Sequence, residues 1–211
     1  MPVDYPRIPF NLCKNSHLNV LLIDNYDSFT FNIVELLRQL DVDTFSVYKN
    51  DAITIDQARD FDKIIISPGP AIPSESGIIL ELIMALSSTH SILGICLGHQ
   101  AIAEAFGAKL TNEKIPYHGF QTSLQLVKEH SLFRNLASLN VSSELRVGLY
   151  HSWSVDVEDF PECLEITSFS NEGKIMSLRH TKYDIHGVQF HPESYMTSFG
   201  KEMLSNFLFD N

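Results

Sequence analysis

The sequence has 211 residues, of which 44% are hydrophobic, and its 26 acidic residues outnumber 15 lysines and arginines to give a formal net charge of −11. This length and composition predict one large domain with a substantial core. The acidic surplus argues against nucleic acid or an anionic membrane as the main partner, because phosphate contacts need clustered cations.

Residues 1–17 predict an irregular N-terminal extension, because Pro2, Pro6 and Pro9 disfavour a helix or a central strand. This segment lacks the charged and then apolar layout of a secretory signal, and no apolar run reaches the roughly 18–20 residues of a membrane span. The three cysteines are widely spaced and form no Cys-x-x-Cys pair. We therefore expect a soluble, cytoplasmic protein in a reducing compartment.

Residues 18–106 alternate between strand and helix patterns. Leu18–Ile23 is an apolar run typical of a strand covered on both faces, and Ser28 is a candidate N-cap for an amphipathic helix over Phe29–Leu40. Further strands are predicted at Thr44–Tyr48, Lys63–Ser67 and Ser91–Ile95, and further helices at Thr54–Arg59, Gly77–Leu86 and Gly98–Phe106. This alternation predicts an open, mostly parallel α/β sheet with helices on both faces, whose active site lies beyond the carboxyl ends of the strands.

The pattern changes after about residue 108, where the apolar runs become shorter. Strands are predicted at Thr122–Val127, Glu165–Phe169, Lys174–Leu178 and Gly187–Phe190, followed by a last helix over Ser198–Phe209. We interpret these strands as a largely antiparallel extension of the same sheet, so that residues 18–211 form a single domain.

Cys96 follows the predicted strand Ser91–Ile95 and is flanked by Gly94 and Gly98. Gly-x-Cys-x-Gly is the thiol version of the nucleophile elbow, in which small neighbours permit a sharp turn from strand to helix. The amides at the start of the helix would favour the reactive thiolate. The alternative is that Cys96 is a small buried hydrophobe, as many free cysteines are.

A cysteine nucleophile needs a base and a group that orients the base, and the segment Gly187–Ser194 contains both. In an extended chain, residues i and i+2 point the same way, so Glu193 can hold the ring of His191. Pro192 restricts this geometry. The alternative is an ordinary polar strand end.

The loop Ser67–Pro73 is rich in proline and glycine and follows a predicted strand. It could be a simple turn, or it could supply one amide of an oxyanion hole whose second amide belongs to Leu97. Five further histidines are expected near the rim of the site: His99, His118, His151, His180 and His186. No histidine pair has convincing zinc spacing, so we expect no metal.

These segments together resemble the class I (triad) glutamine amidotransferases. The matching segments are Leu21–Thr30, Ser67–Pro70, Gly94–Gln100, Tyr150–Ser152 and Gly187–Ser194. The segment Asp24–Thr30 is most similar to amidotransferase subunits of synthases that use chorismate to make anthranilate or 4-amino-4-deoxychorismate. The resemblance implies a flavodoxin-like core and a glutaminase subunit without a cofactor.

By this resemblance, Cys96 attacks the amide of L-glutamine, His191 is the base and then the acid, and Glu193 orients His191. The implied glutamine-binding residues are Gly69, Pro70, Ala71, Leu97, Gln100, Ser152 and Trp153. The implied partner is a chorismate-binding synthase subunit that receives ammonia in a hetero-oligomer.

Four positions differ from residues that are frequent in the family. Ala71 replaces a common glycine, Phe120 a frequent lysine, Leu149 a frequent arginine and Trp153 a frequent leucine. Three alternatives to the synthase subunit are another class I amidotransferase, a free-standing γ-glutamyl hydrolase and a non-catalytic partner protein.

Overall fold

The structure is a computed structural model that describes residues 18–136 and 145–210. The predicted extension at residues 1–17 therefore lies outside the described residues. The main sheet has eight strands. The strands β1 to β4 are Asn19–Asp24, Thr44–Lys49, Lys63–Ile66 and Ser91–Ile95; the strands β7 and β10 to β12 are Gln125–Leu126, Leu164–Phe169, Ile175–His180 and Ile185–Val188. Their order in the sheet is β2-β1-β3-β4-β12-β11-β10-β7.

The five strands from β2 to β12 in this order run parallel, and the strands beyond β12 run antiparallel. This confirms the open, mostly parallel α/β sheet with an antiparallel extension. Within the described residues, the five α-helices are α1 (Thr30–Gln39), α2 (Ile55–Ala58), α3 (Ile79–Leu86), α4 (Leu97–Ala105) and α5 (Gly200–Phe209). No described helix is long and apolar enough to cross a membrane.

Alternating side chains of the central strands divide the core into two layers. Leu22 of β1 packs with α1 and α5 on one face of the sheet, whereas Leu21 and Ile23 pack with α2, α3 and α4 on the other. Successive residues of a strand point to opposite faces, so a continuous apolar run is required where helices cover both faces. Val20 to Ile23 and Ile64 to Ile66 are accordingly 0% exposed.

Two details of the predicted elements are wrong. Ser28 does not cap α1, because the helix begins after Phe29 without a side-chain cap; instead, the Asp27 carboxylate accepts a 2.8 Å hydrogen bond from the Phe29 amide. The run Thr122–Val127 is also not one strand. Its residues divide between β6 (Phe120–Ser123) and β7, which belong to different sheets.

Two short antiparallel ribbons lie apart from the main sheet, rather than within its predicted extension. One pairs β5 (Leu110–Asn112) with β9 (Trp153–Val155), and the other pairs β6 with β8 (Arg146–Leu149). The segment between β8 and β9 is Tyr150, His151 and Ser152, so the two ribbons together position it beside the carboxyl ends of the parallel strands.

Candidate active site

Cys96 lies at the sharp turn from β4 into α4, as the glycine pattern predicts. Its φ of 51° and ψ of −99° lie outside the conformations that non-glycine residues usually adopt. Its amide donates to the Val188 carbonyl at 2.8 Å, and its carbonyl accepts from the Gln100 amide at 3.0 Å. The turn is therefore fixed on one side by the sheet and on the other by the helix.

The two flanking glycines are required by close backbone approaches. A Cβ atom on Gly94 would lie 2.3 Å from the Gly98 carbonyl oxygen, and one on Gly98 would lie 2.5 Å from the Ile66 carbonyl oxygen. Both distances are shorter than non-bonded atoms tolerate, so neither position accepts a side chain without moving the backbone. The strained Cys96 conformation is thus held by the packing of β3, β4 and α4.

His191 and Glu193 form a buried pair beside this turn. His191 Nδ1 lies 2.7 Å from Glu193 Oε1, and the two side chains are 2% and 0% exposed. The backbone at His191 is fixed by its amide, which donates to the Gly148 carbonyl, and by Thr197 Oγ1, which donates to the His191 carbonyl. Nε2 of His191 has no hydrogen-bond partner among the described residues and is left for the reacting groups.

The environment of His191 favours its protonated form. Burial lowers the pKa of the imidazole, but the Glu193 carboxylate and the Cys96 thiol raise it, and the resulting pKa lies well above the ordinary value. The Cys96 amide is hydrogen-bonded to the Val188 carbonyl, three residues before His191, so β12 brings the two residues to the same end of the sheet. The arrangement therefore suits a thiolate–imidazolium pair.

Two aromatic rings pack against His191 and were not assigned a role from the sequence. The ring centroids of Phe29 and Tyr150 lie 5.1 and 5.0 Å from that of His191, both in edge-on arrangements. The two rings also contact each other at 4.9 Å. They exclude water from one side of the imidazole, which strengthens its interaction with Glu193.

The loop after β3 is fastened to the loop after β1 by Asn25. The Asn25 backbone amide donates to Ser67 Oγ at 3.0 Å, and its side-chain amide donates to the Ser67 carbonyl at 2.8 Å. Asn50 completes the set by donating to Asn25 Oδ1 at 3.0 Å. All three side chains are buried, so these hydrogen bonds fix where residues 68–71 lie.

Gly69, Pro70 and Ala71 follow this anchor. A Cβ atom on Gly69 would lie 2.4 Å from Leu97 Cδ2, so the loop passes directly over the first residue of α4. Ala71 has a φ of 79°, a left-handed conformation that favours glycine. Pro70 and Ala71 are exposed, and they border the turn at Cys96 through Gly69 and Leu97.

The other predicted glutamine-binding residues lie in α4 and in the segment before β9. Leu97 is buried in the first turn of α4, whereas Ser152 is exposed and Trp153 half-buried. Gln100 Nε2 donates to the Trp153 carbonyl oxygen at 2.7 Å. This hydrogen bond joins α4 to the segment 151–153, so the structure brings these predicted residues together around Cys96.

Gln189 is a functional candidate that sequence reasoning missed. Its side chain is 0% exposed, and its Nε2 lies 3.6 Å from Cys96 Sγ. Its Oε1 accepts from Gln100 Nε2 at 3.2 Å. The sequence contained a sign of this role, because Gln189 lies two residues before His191 and residues at that spacing share a side of an extended chain.

Only some of the five histidines that were expected at the rim of the site lie near it. His151 is buried near His191, and burial lowers its pKa to about 4; His118 lies 6.1 Å from the Tyr150 ring. His99 is not at the rim, because it is a fully buried residue of α4, and burial lowers its pKa to about 3. Within the described residues, no group of His, Cys, Asp and Glu could hold a metal ion.

His180 and His186 were wrongly placed near the rim. His180 stacks on Tyr183, and His186 contacts Asp184. Tyr183 and Asp184 both come just before the first residue of β12. Cys96 follows the carboxyl end of β4, which runs parallel to β12. The two histidines are thus directed toward the opposite end of these strands from Cys96.

Two of the four residues that differ from the family pattern lie opposite each other in the structure. Phe120 and Leu149 pair across the antiparallel ribbon of β6 and β8. Phe120 is 55% exposed, and Leu149 is buried. An apolar pair therefore occupies two positions where the resembling family often has charged residues.

Comparison with known proteins agrees with this geometry. Residues 21–211 match the family model described as glutamine amidotransferase class-I. The chain is 44% identical over 194 residues to the aminodeoxychorismate/anthranilate synthase component 2 of Bacillus subtilis, covering 90% of this chain and 95% of the relative. It is 43% identical over 194 residues to the aminodeoxychorismate synthase component 2 of Escherichia coli, covering 90% and 98%. Among solved structures, a putative GMP synthase subunit from Thermoplasma acidophilum has a TM-score of 0.77 at 26% identity, covering 92% of this chain and 94% of that chain.

Proposed function

This chain belongs to the class-I glutamine amidotransferase family, and from that premise we propose that it is the glutamine-hydrolysing subunit of a synthase that aminates chorismate. The resemblance seen in the sequence is thereby confirmed. The observation that carries the proposal is the strained Cys96 at the turn into α4, at the same end of the sheet as the buried pair of His191 and Glu193.

In the proposed reaction, the Cys96 thiolate attacks the side-chain amide carbon of L-glutamine and forms a tetrahedral intermediate. The imidazolium of His191 gives a proton to the amide nitrogen, the carbon–nitrogen bond breaks, and ammonia leaves a glutamyl thioester on Cys96. His191 then takes a proton from water, which attacks the thioester and releases glutamate. Glu193 holds the ring in place throughout and stabilises its positive charge whenever the ring is protonated.

The negative oxygen of the intermediate needs hydrogen-bond donors. We assign this role to the Leu97 amide at the start of α4 and to an amide of the loop at Gly69, which passes over Leu97. The fastening of this loop by Asn25 supports the assignment, because preorganised donors do not have to move as charge develops. We place the rest of glutamine against Pro70, Ala71, Gln100, Ser152 and Trp153.

A partner is proposed because ammonia in bulk water is mostly protonated and a poor nucleophile. Two surface observations support a docking face beside Cys96. Tyr195 is 94% exposed although it comes two residues after Glu193, and Tyr26 is 55% exposed in the loop after β1. Phe120, which is 55% exposed, has its ring centroid 6.2 Å from that of Tyr117, and Ile115, which is 77% exposed, lies two residues before Tyr117 in the chain. We name these four residues (Tyr26, Ile115, Phe120 and Tyr195) the apolar rim and propose that it contacts the synthase subunit.

The test is amination of chorismate by the chain together with a chorismate-using synthase subunit of either type. Cys96→Ser should reduce the glutamine-dependent reaction by several orders of magnitude and leave the ammonia-dependent reaction intact. Cys163→Ser, at a half-buried cysteine in the turn before β10, is the matched control and should retain both. The product, anthranilate or 4-amino-4-deoxychorismate, identifies the partner.

Two results would contradict the proposal. Substantial glutaminase activity in Cys96→Ser would exclude Cys96 as the nucleophile. High glutamine turnover by the chain alone, unchanged by a synthase subunit and chorismate, would instead support the free-standing γ-glutamyl hydrolase.

A further inference from the structure

Two side-chain amides connect the sulfur of Cys96 to the backbone at Trp153. Gln189 Nε2 lies 3.6 Å from Cys96 Sγ, Gln189 Oε1 accepts from Gln100 Nε2 at 3.2 Å, and Gln100 Nε2 also donates to the Trp153 carbonyl at 2.7 Å. Gln100 and Gln189 are 3% and 0% exposed. We name this series of hydrogen bonds the amide relay.

The direction of the amide relay is determined at its Trp153 end. A backbone carbonyl can only accept a hydrogen bond, so Gln100 must turn its NH₂ group toward Trp153. That NH₂ group has a second hydrogen, which requires an acceptor, and Gln189 therefore presents its oxygen to Gln100. The NH₂ group of Gln189 is then left facing the sulfur, where an oxygen would repel a thiolate.

A second donor strengthens the Trp153 end. His151 Nδ1 lies 2.9 Å from the same carbonyl oxygen, so that oxygen accepts from two side chains at once. Burial lowers the pKa of His151 to about 4, and its neutral ring then carries its proton on Nδ1. The carbonyl is thus held in place from both sides, and Gln100 cannot reverse its amide without losing this bond.

We propose that Gln189 donates a hydrogen bond to the Cys96 thiolate, and that Gln100 and the Trp153 carbonyl hold Gln189 in the orientation that makes this possible. The inference deepens the proposed function, since it concerns how the nucleophile of that reaction is prepared. It also gives Gln100 a positioning role, because both hydrogens of its NH₂ group are occupied and only its oxygen remains for glutamine.

The physical effect is the stabilisation of a negative charge in a buried site. Cys96 is 5% exposed, so water cannot fully solvate a thiolate there, and a hydrogen bond to a charged group in such surroundings is stronger than one between neutral groups. The same bond fixes the direction of the sulfur relative to His191. Both effects increase the fraction of Cys96 that is ready to attack.

The ionisable side chains of the site and its surroundings come from three segments. His191 and Glu193 follow β12, His151 precedes β9 and interacts with His191, and His99 belongs to α4 and interacts with His151. Substitution of Gln189 leaves all four in place. In a variant with a neutral residue at position 189, a change in the pH dependence of Cys96 reactivity therefore reports on the amide rather than on a change of charge.

The test measures alkylation of Cys96 by iodoacetamide from pH 5 to 9, with the Cys96 peptide quantified by mass spectrometry. In this reaction the thiolate forms a bond to carbon and iodide leaves, so the rate follows the thiolate fraction. Gln189→Met keeps the approximate size but removes the donor, and we expect about tenfold slower alkylation at pH 7 with the profile moved to higher pH. Gln100→Met should move it in the same direction by less.

Gln189→Glu is the second variant, because it keeps the acceptor for Gln100 and replaces only the group that faces the sulfur. It should also move the profile to higher pH. Gln121→Met, at an exposed position of β6, is the matched control and should alkylate like the parent protein. A wild-type profile in a folded Gln189→Met or Gln189→Glu protein would overturn the proposal.

This measurement needs neither glutamine nor a synthase subunit, so it is independent of the proposed function. A shifted alkylation profile in a chain that fails to hydrolyse glutamine would retain the amide relay and reject the glutaminase. An unshifted profile in a chain that does hydrolyse glutamine would reject the amide relay and retain the glutaminase.

Discussion

Nδ1 of His191 and Oε1 of Glu193 lie 2.7 Å apart, in a pair whose side chains are almost completely removed from solvent. The pair spans only two residues, so its geometry depends on the extended chain at Pro192. Because little water screens the interaction, the Glu193 carboxylate is a main cause of the raised pKa of His191.

Glu193→Gln is therefore expected to lower the pKa of His191, because the shape of the side chain is kept while its negative charge is lost. Glutamine hydrolysis should fall, but by less than in His191→Ala, since an orienting group contributes less than the base. The measurement is the titration of the His191 ring by NMR, together with turnover. An unchanged titration midpoint would contradict the assigned role of Glu193.

Substitution at Cys96 tests the strain at the proposed nucleophile. With a φ of 51° at this position, Cys96→Gly should be more stable than Cys96→Ala by about 1 kcal/mol, because glycine adopts this conformation without a steric penalty. Both variants lose the sulfur and should be inactive. The two free energies of unfolding are compared by chemical denaturation; equal values would argue against strain at Cys96.

Ala71 offers a stabilising substitution. Its φ of 79° predicts that Ala71→Gly is neutral or stabilises the protein by up to about 1 kcal/mol. Ala105→Gly, within α4, is the matched control and should destabilise the protein by roughly 0.5–1 kcal/mol. A clear fall in the melting temperature of Ala71→Gly would reject the strained interpretation.

Asn25 is expected to control the loop that covers Leu97. Asn25→Asp replaces the amide that donates to the Ser67 carbonyl with an oxygen that repels it, and the loss of a buried hydrogen bond costs roughly 1–3 kcal/mol. Glutamine turnover should fall with stability, because the loop amide loses its position. Asn32→Asp, an identical change at an exposed site of α1, should retain both properties; equal behaviour of the two variants would exclude this role.

The buried His130 predicts acid sensitivity. Burial, followed by the neighbouring His186 and Arg179, lowers its pKa to about 2, whereas an unfolded histidine binds a proton below about pH 6.5. The unfolded state thus gains protons first as the pH falls, so the stability from this site is fully present above pH 6.5 and decreases below it. Between pH 7 and pH 5 the loss should be roughly 2 kcal/mol.

His130→Gln cannot titrate, so the difference in unfolding free energy between pH 7 and pH 5 should shrink by roughly 2 kcal/mol. The exposed His118→Gln should leave this difference unchanged. Denaturant titrations at the two pH values provide the measurement. An equal difference in His130→Gln and the parent protein would show that His130 is not the source of the acid sensitivity.

The sequence alone predicted the features that depend on neighbouring residues. The apolar run of β1 predicted a strand covered on both faces, because every residue of such a strand packs against one of the two helix layers. The alternation of patterns likewise predicted β3 and β4 as strands. Gly94 and Gly98 predicted the turn at Cys96, since the requirement for a missing side chain is local. The spacing of His191 and Glu193 likewise predicted that their side chains meet.

The tertiary structure decided the features that join distant parts of the chain. Gln189 reaches Cys96 across 93 positions of sequence, and Gln100 reaches Trp153 across 53. No local pattern indicates the contact of Gln100, and the spacing of Gln189 from His191 indicates only that the two share a side of the chain. His186 was predicted near the active site, yet the direction of β12 places it toward the opposite end of the strands. The residue types were visible in the sequence, but the pairing and direction of the strands determined which of them share a site.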